Sequence, residues 1–433
     1  MTAAPMPASA SVALSVTRAG PSRRKIIAAT TAGNALEFFD FTVYGFFAIT
    51  IGKLFFPSAS AYGQLMLSVA TFGVGFLMRP VGGVLIGAFA DRVGRRAAMV
   101  LTMNLMALGC LMIGLAPTYA QAGLIGPTML VLARLIQGIS AGGEVGASAT
   151  VLIEQADTRN RGFFGSWEFA SQGLGIAVGA AVALLLTASL EPAALESWGW
   201  RVPFLLGALI APVGAYLRRH LGETLRHRDG SHSVIATALK SHGTEIWLGS
   251  LLSIGNAVAA YTVAFYMPIY AIRELHLPPT TALLAALVSG ALSFTVSPFI
   301  GRCADMYSRK VLVIIGRIGM LVLIYPAFLW LIASPTQSTL LLAVAGMSLL
   351  LAFMNCPSLT LFPEMFPQKV RVTGMSFVIG VSVLFGGFQQ LVATWLIENT
   401  GSKLSPALYL IVVLVVSSLA LIWIKDRTGE ALN

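Results

Sequence analysis

The chain has 433 residues, 56% of them hydrophobic and only 11% charged, with a formal net charge of +10 and a mean hydropathy of +0.81. These values exclude a soluble globular protein of this length and indicate an integral membrane protein. Each helical span needs about 20 apolar residues to cross about 30 Å of hydrocarbon, so twelve spans fit.

Residues 1–25 are rich in Ala, Ser and Pro and end in PSRRK. They read as a disordered cytoplasmic leader before an uncleaved first helix. Apolar helical runs follow at 26–51, 65–89, 98–116, 127–152, 163–188 and 202–220, then at 246–271, 281–300, 311–333, 339–362, 375–397 and 406–424. The polar stretch at 217–245 divides them six and six, which predicts an N-terminal bundle over 26–220, a cytoplasmic linker over 221–245 and a C-terminal bundle over 246–424. Within the linker a short surface helix is expected over Ser233 to Ser241, and residues 425–433 form a cytoplasmic tail.

Basic residues crowd alternate loops, with Lys53, Arg201, Arg273 and Lys403 alone on the other side. This asymmetry predicts that both termini are cytoplasmic, and topology accounts for most of the positive charge without a nucleic-acid partner. Cys110, Cys303 and Cys356 have no paired spacing, and the linker histidines lack i, i+4 pairing on a buried face, so no metal site or disulfide is expected.

Two loops repeat one pattern. GAFADRVGRR at 87–96 and GRCADMYSRK at 301–310 align Gly87 with Gly301, Asp91 with Asp305, Arg95 with Arg309 and Arg96 with Lys310. Glu154 precedes Arg161 by the same interval that separates Glu364 from Arg371. Repeated motifs in two six-span halves indicate internal duplication and a transporter that rocks one bundle against the other. Asp91 is suited to accept from the N-terminal amides of a span or to pair with Arg95, while Gly87 permits close helix approach. Gly87, Asp91, Arg95, Arg96, Asp305 and Arg309 are the candidate gating latch.

GAFADRVGRR, with RLIQGISAG at 134–142, resembles the major facilitator superfamily. GNALEFFDF, FLMRPVGG, QGISAGGEVG, WGWRVPFLLG and PEMFPQKVRVTG resemble its metabolite:proton symporters, and the first-span pattern with RRHLGET is similar to bacterial citrate and tricarballylate proton symporters. The second loop copy departs from the superfamily pattern at Ser308, where a Gly is expected. The resemblance implies an all-α membrane protein with twelve transmembrane helices in two six-helix bundles, the major facilitator fold. It also implies a proton-coupled symporter importing a di- or tricarboxylate by alternating access in a bacterial cytoplasmic (inner) membrane. No enzyme activity or cofactor is expected, the proton gradient being the energy source, and the partners are a small organic acid anion, protons and the lipid bilayer around a functional monomer.

Ionisable residues inside spans are functional candidates because each costs about 2.5–3.5 kcal/mol or more at a helix centre unless paired or hydrated. They are Glu37, Asp40, Arg79, Arg134, Glu144 and Arg317. A rise of about 1.5 Å per residue puts Asp40 and Arg134 at similar depth, close enough to pair. Glu37 shares a helix face with Asp40, and neighbouring acids favour proton exchange, so Asp40, Glu37 and Glu144 are the proton-coupling candidates. A permanent structural bridge between spans one and four is the competing account of Asp40 and Arg134. Arginine suits carboxylate binding, which makes Arg134 the first anion ligand and Arg79 the second, with snorkelling the alternative for Arg79. Arg317 is expected to snorkel. Asn34, Tyr44, Gln137, Gln172, Asn256, Tyr261, Asn355 and Gln389 are the neutral substrate-binding candidates.

The alternatives left open are symport of 2-oxoglutarate, shikimate, or proline and betaine, a drug exporter, and a sensor that does not transport. Exporters of the superfamily usually carry Gly-Pro in span five, but 162–191 has no proline. The osmosensing betaine carriers tend to have a long C-terminal coiled coil, whereas nine residues follow Ile424.

Overall fold

The computed structural model describes residues 23–58, 60–93, 95–154, 156–157, 159–209, 211–212, 240–367 and 370–430, with side chains left out at 23–30, 87–88, 90–92, 95–96, 99, 143–154 and 372. The described residues are helical, with no strand. Among the described residues nine helices are long and apolar enough to span, and a bent pair makes a tenth. The third predicted span lies in the helix Arg95–Leu115, whose stretch Val100–Leu115 is apolar. The sixth begins at Val202–Gly207 and passes beyond the described residues. The linker helix expected over Ser233 to Ser241 also falls largely outside them.

Several spans are broken where local chemistry disfavours a continuous helix. Span one, Arg23–Phe46, bends by 62° into Ala48–Phe55, two residues past the weak helix former Gly45. Span two, Ala61–Leu77, breaks at Met78 and restarts as Arg79–Val93, where Pro80 has no N–H to donate. Span seven, Gly243–Tyr261, passes through a π-turn at Thr262–Tyr266 into Met267–Arg273, because Pro268 cannot bond the Ala264 carbonyl. Span eleven is Arg371–Gly387 followed by Gln389–Thr400.

Bare backbone brings helices together. A Cβ on Gly138 or Gly142 of span four, Ile125–Glu154, would collide with the carbonyl oxygens of Gly75 and Arg79. Span five, Arg161–Ser189, meets span eight, Pro279–Met306, across the two halves in the same way at Gly162 with Gly301 and at Gly173 with Gly290. In a bilayer, where lipid tails offset the hydrophobic drive, such close backbone contact is the main source of helix association.

At the end of the molecule that carries Arg161 and Arg309, polar contacts tie the halves. Both oxygens of Asp305 accept from the first amides of span five, Gly162 at 2.6 Å and Phe163 at 2.9 Å. Glu364, ending span ten (Gln337–Glu364), receives Arg161 at 3.2 Å and also Arg309 of span nine, Arg309–Ala333. The amide contact expected of Asp91 is thus made by its counterpart Asp305, reaching into the other half, while Arg309 lies 3.8 Å from Asp305. Gly87, Asp91, Arg95 and Arg96, like Glu144, lie outside the residues whose side chains are described. Ser308, the departure from the superfamily pattern, caps span nine through the Val311 amide at 3.1 Å and donates to Asp426. Burial pushes the Asp426 carboxyl up, but hydrogen bonds from Ser308 and Thr428 outweigh it and hold the group below the usual range.

Gly142→Leu is expected to destabilise the docking of spans two and four by about 1–3 kcal/mol through overpacking, read as a lower melting temperature of purified protein. Asp305→Asn removes a charge-assisted bond worth about 1.5–3 kcal/mol. A cysteine placed at buried Ser166, which packs on Gly301, should then react faster with a hydrophilic maleimide.

Candidate functional site

Span one delivers both acids found in its sequence, but to different surroundings. Glu37 accepts from Arg79 Nη2 at 3.1 Å, with both side chains about 95% buried. The Arg79 guanidinium also sits over the rings of Phe41 and Phe76, at 4.9 and 4.7 Å. The break at Met78 and Pro80 starts the new helix at Arg79, inside the bundle. Its arginine therefore pairs and does not snorkel.

Asp40 lies about one turn further along and accepts from Arg134 Nη1 at 2.9 Å; each is 1% exposed. Its other oxygen receives Cys110 Sγ at 3.2 Å, and the same Arg134 nitrogen donates to Gln137 at 2.8 Å. The Tyr44 ring covers the Arg134 guanidinium at 3.9 Å, and its hydroxyl donates to the Ser68 carbonyl at 3.2 Å. Spans one to four are therefore tied by one polar network. The depth relation predicted for Asp40 and Arg134 is present.

A cavity of about 110 Å³ separates the halves. One wall carries Asn34, Glu37, Arg79, Glu168 and Gln172, and the other carries Ser253, Asn256, Tyr261, Asn355, Ser358 and Ser382. Aromatic pairs close one side of it across the halves, Phe76 with Tyr261 at 5.6 Å and Phe72 with Phe265 at 6.1 Å. Phe388 and Phe76 fit against Gly73 and Gly387 in the same layer. Asn34 bridges to span five through Ser171 at 2.6 Å and the Glu168 carbonyl at 3.1 Å.

Of the candidate ligands, Asn34, Glu37, Arg79, Gln172, Asn256, Tyr261 and Asn355 line this cavity. Asp40, Tyr44, Arg134, Gln137 and Gln389 are buried away from it. The expected snorkelling of Arg317 is corrected. Its side chain is 1% exposed and donates to Ser417 at 2.8 Å, Ser418 at 3.0 Å, the Leu252 carbonyl and Asn256 Oδ1 at 2.8 Å. Spans seven and twelve (Ser405–Ser418) supply enough acceptors on that helix face to hold the guanidinium inside. Sequence reasoning passed over Glu168, a buried acid in the cavity wall. Its signal was the one that singled out Glu37, an acid within an apolar run.

The family profile described as Major Facilitator Superfamily matches residues 30–378 and 249–433. A citrate-proton symporter of Klebsiella pneumoniae is 36% identical, over 96% of this chain and 95% of its own length. A glycine betaine/proline/ectoine/pipecolic acid transporter of Dickeya dadantii is 34% identical, over 95% and 85%. A crystal structure of a D-xylose-proton symporter superposes with a TM-score of 0.79 at 20% identity, covering 94% of this chain and 99% of that one, a likeness of fold. With its family profile, its near full-length relatives and its helical architecture in agreement, the chain belongs to the Major Facilitator Superfamily as a multi-pass membrane transporter.

Proposed function

We propose that the protein is a proton-coupled symporter that imports a small di- or tricarboxylate, citrate or tricarballylate, across a bacterial inner membrane with both termini cytoplasmic. The observation that carries this reading is the Glu37–Arg79 pair in the cavity wall. Separating a buried pair by removing one charge costs about 3–5 kcal/mol, because the survivor is left uncompensated. A proton on Glu37 would leave Arg79 in that state, and a substrate carboxylate replaces the lost partner with two parallel hydrogen bonds. Proton and anion then bind better together than apart, and by linkage each raises the affinity of the other. When the cavity faces the low-proton side, Glu37 ionises, takes Arg79 back and releases the anion.

Asn34, Gln172, Asn256, Tyr261 and Asn355 supply neutral hydrogen-bonding groups around the substrate. Asp40 and Arg134 serve as the structural tie among spans one, three and four, since their network with Cys110 and Gln137 does not line the cavity. The Asp305 and Glu364 contacts act as the gate between the halves.

A zwitterionic substrate is the second reading. The cavity holds acids, Glu37 and Glu168, beside the cation Arg79, and one relative is a glycine betaine and proline carrier.

Counterflow in proteoliposomes, with citrate, tricarballylate, 2-oxoglutarate, shikimate, proline and betaine as competitors, should show competition by the carboxylates; competition by proline or betaine alone sinks the anion reading. Glu37→Gln should lose at least about tenfold of proton-driven accumulation, the equivalent of 1.4 kcal/mol, while retaining counterflow. Intact accumulation in a folded Glu37→Gln protein, with loss in a folded Asp40→Asn protein, would move the proton to Asp40.

A further inference from the structure

Span twelve is followed by a short helix, Ala420–Trp423, and then by residues 424–430, which lie against the end of the molecule that carries Arg161 and Arg309. Four contacts seat this segment on the C-terminal half. Lys310 Nζ donates to the Ile424 carbonyl at 2.9 Å, and Ser308 donates to the Asp426 carboxylate. Thr428 Oγ1 accepts from the Arg309 amide at 3.1 Å, one of the first-turn donors of span nine that have no partner inside the helix. Arg427 Nη1 donates to the Glu364 carbonyl at 3.1 Å, at the end of span ten where the last carbonyls also look outside the helix. Asp426 Oδ1 receives the Thr428 amide at 3.0 Å and its hydroxyl at 2.5 Å, which fixes the segment's own turn.

The far end of the segment crosses to the other half. The Glu430 carbonyl accepts from Arg161 Nη1 at 2.8 Å, and the same nitrogen donates to Glu364 at 3.2 Å. Arg161 opens span five, and its side chain is buried. Among the described residues of the segment, Glu430 alone hydrogen-bonds to the N-terminal half. Gly429 turns the chain toward it. Its φ of +86° lies where L side chains rarely go, and the Glu430 amide closes the turn on the Arg427 carbonyl at 3.1 Å. A Cβ on Gly429 would meet nothing within 4 Å, so a substitution there acts through the backbone and not through collision.

We propose that residues 424–430 are a strap, carried on the C-terminal half, that clasps Arg161 and opposes separation of the halves at this end. The four seats lie within one half and survive when the halves part; only the bond from Arg161 to Glu430 has to break. A hydrogen bond from a charged donor is among the stronger ones, and one made only in the closed arrangement shifts the population toward closure. The strap rests on the gate reading of Asp305 and Glu364 above and is independent of which solute is carried.

The test is the rate at which a cysteine at Ser166 reacts with a hydrophilic maleimide in the full chain carrying Gly429→Val, Gly429→Asn, Asp305→Asn, Arg161→Gln, or Gly429→Val together with Arg161→Gln. Val resists positive φ, whereas Asn tolerates it. Gly429→Val should raise the rate roughly fivefold and Gly429→Asn less than about twofold. Once Arg161→Gln has removed the donor, Gly429→Val should add nothing further. If Gly429→Val reacts as wild type while Asp305→Asn reacts faster, the strap is overturned and the gate stands; if neither reacts faster, both are overturned. A step of equal size in the Arg161→Gln background means that the substitution loosens the fold by another route, and it too overturns the strap. Should Arg161→Gln not fold, a cysteine at Ser405, buried at the opposite end of span twelve, serves as the control: a rise at Ser166 alone supports the strap, and an equal rise at both positions overturns it.

Discussion

Charge inside a bilayer must find countercharge or a full set of acceptors, and the helix positions in this protein follow from where those partners stand. Glu37 needs Arg79, Asp40 needs Arg134, and Arg317 needs hydroxyls and a carbonyl from two neighbouring helices. Each arginine has a long reach, but it can be held only if backbones come close enough to bury it. Gly138 and Gly142 allow that approach between spans two and four, which brings Arg79 and Arg134 to the same helix, span one.

Two pairs of the same chemistry end in opposite situations. Asp40 and Arg134 are enclosed by Cys110, Gln137 and the Tyr44 ring, and neither lines the cavity described above. Glu37 and Arg79 form part of a cavity wall. A pair with an open side can exchange its partner for a ligand; a pair enclosed on every side holds helices together. The distinction comes from one helical turn of sequence and from the break before Pro80, which starts the second segment of span two at Arg79.

The joint between the halves is equally divided in kind. On one side of the cavity it is aromatic, with rings laid against glycines, while at the Arg161 end it is ionic and capped by helix N-terminal amides. In the proposed gating, Asp305 and Glu364 would exchange their partners for water, whereas the rings would have to leave the glycines they are seated on.

Sequence alone determined the membrane character, the helical class, the doubled architecture and the short set of buried charges, because hydropathy and charge cost are local properties of a run of residues. It also predicted the Asp40 and Arg134 contact, since depth follows from helical rise. It did not reveal which acid faces the cavity, that Arg79 pairs inward, that Arg317 is enclosed, or that Glu168 belongs to the wall. Rotation of each helix about its axis and the breaks at Met78 and Phe388 decide those points. Rotation is set by close backbone contacts between segments far apart in the chain, and only the tertiary structure contains them.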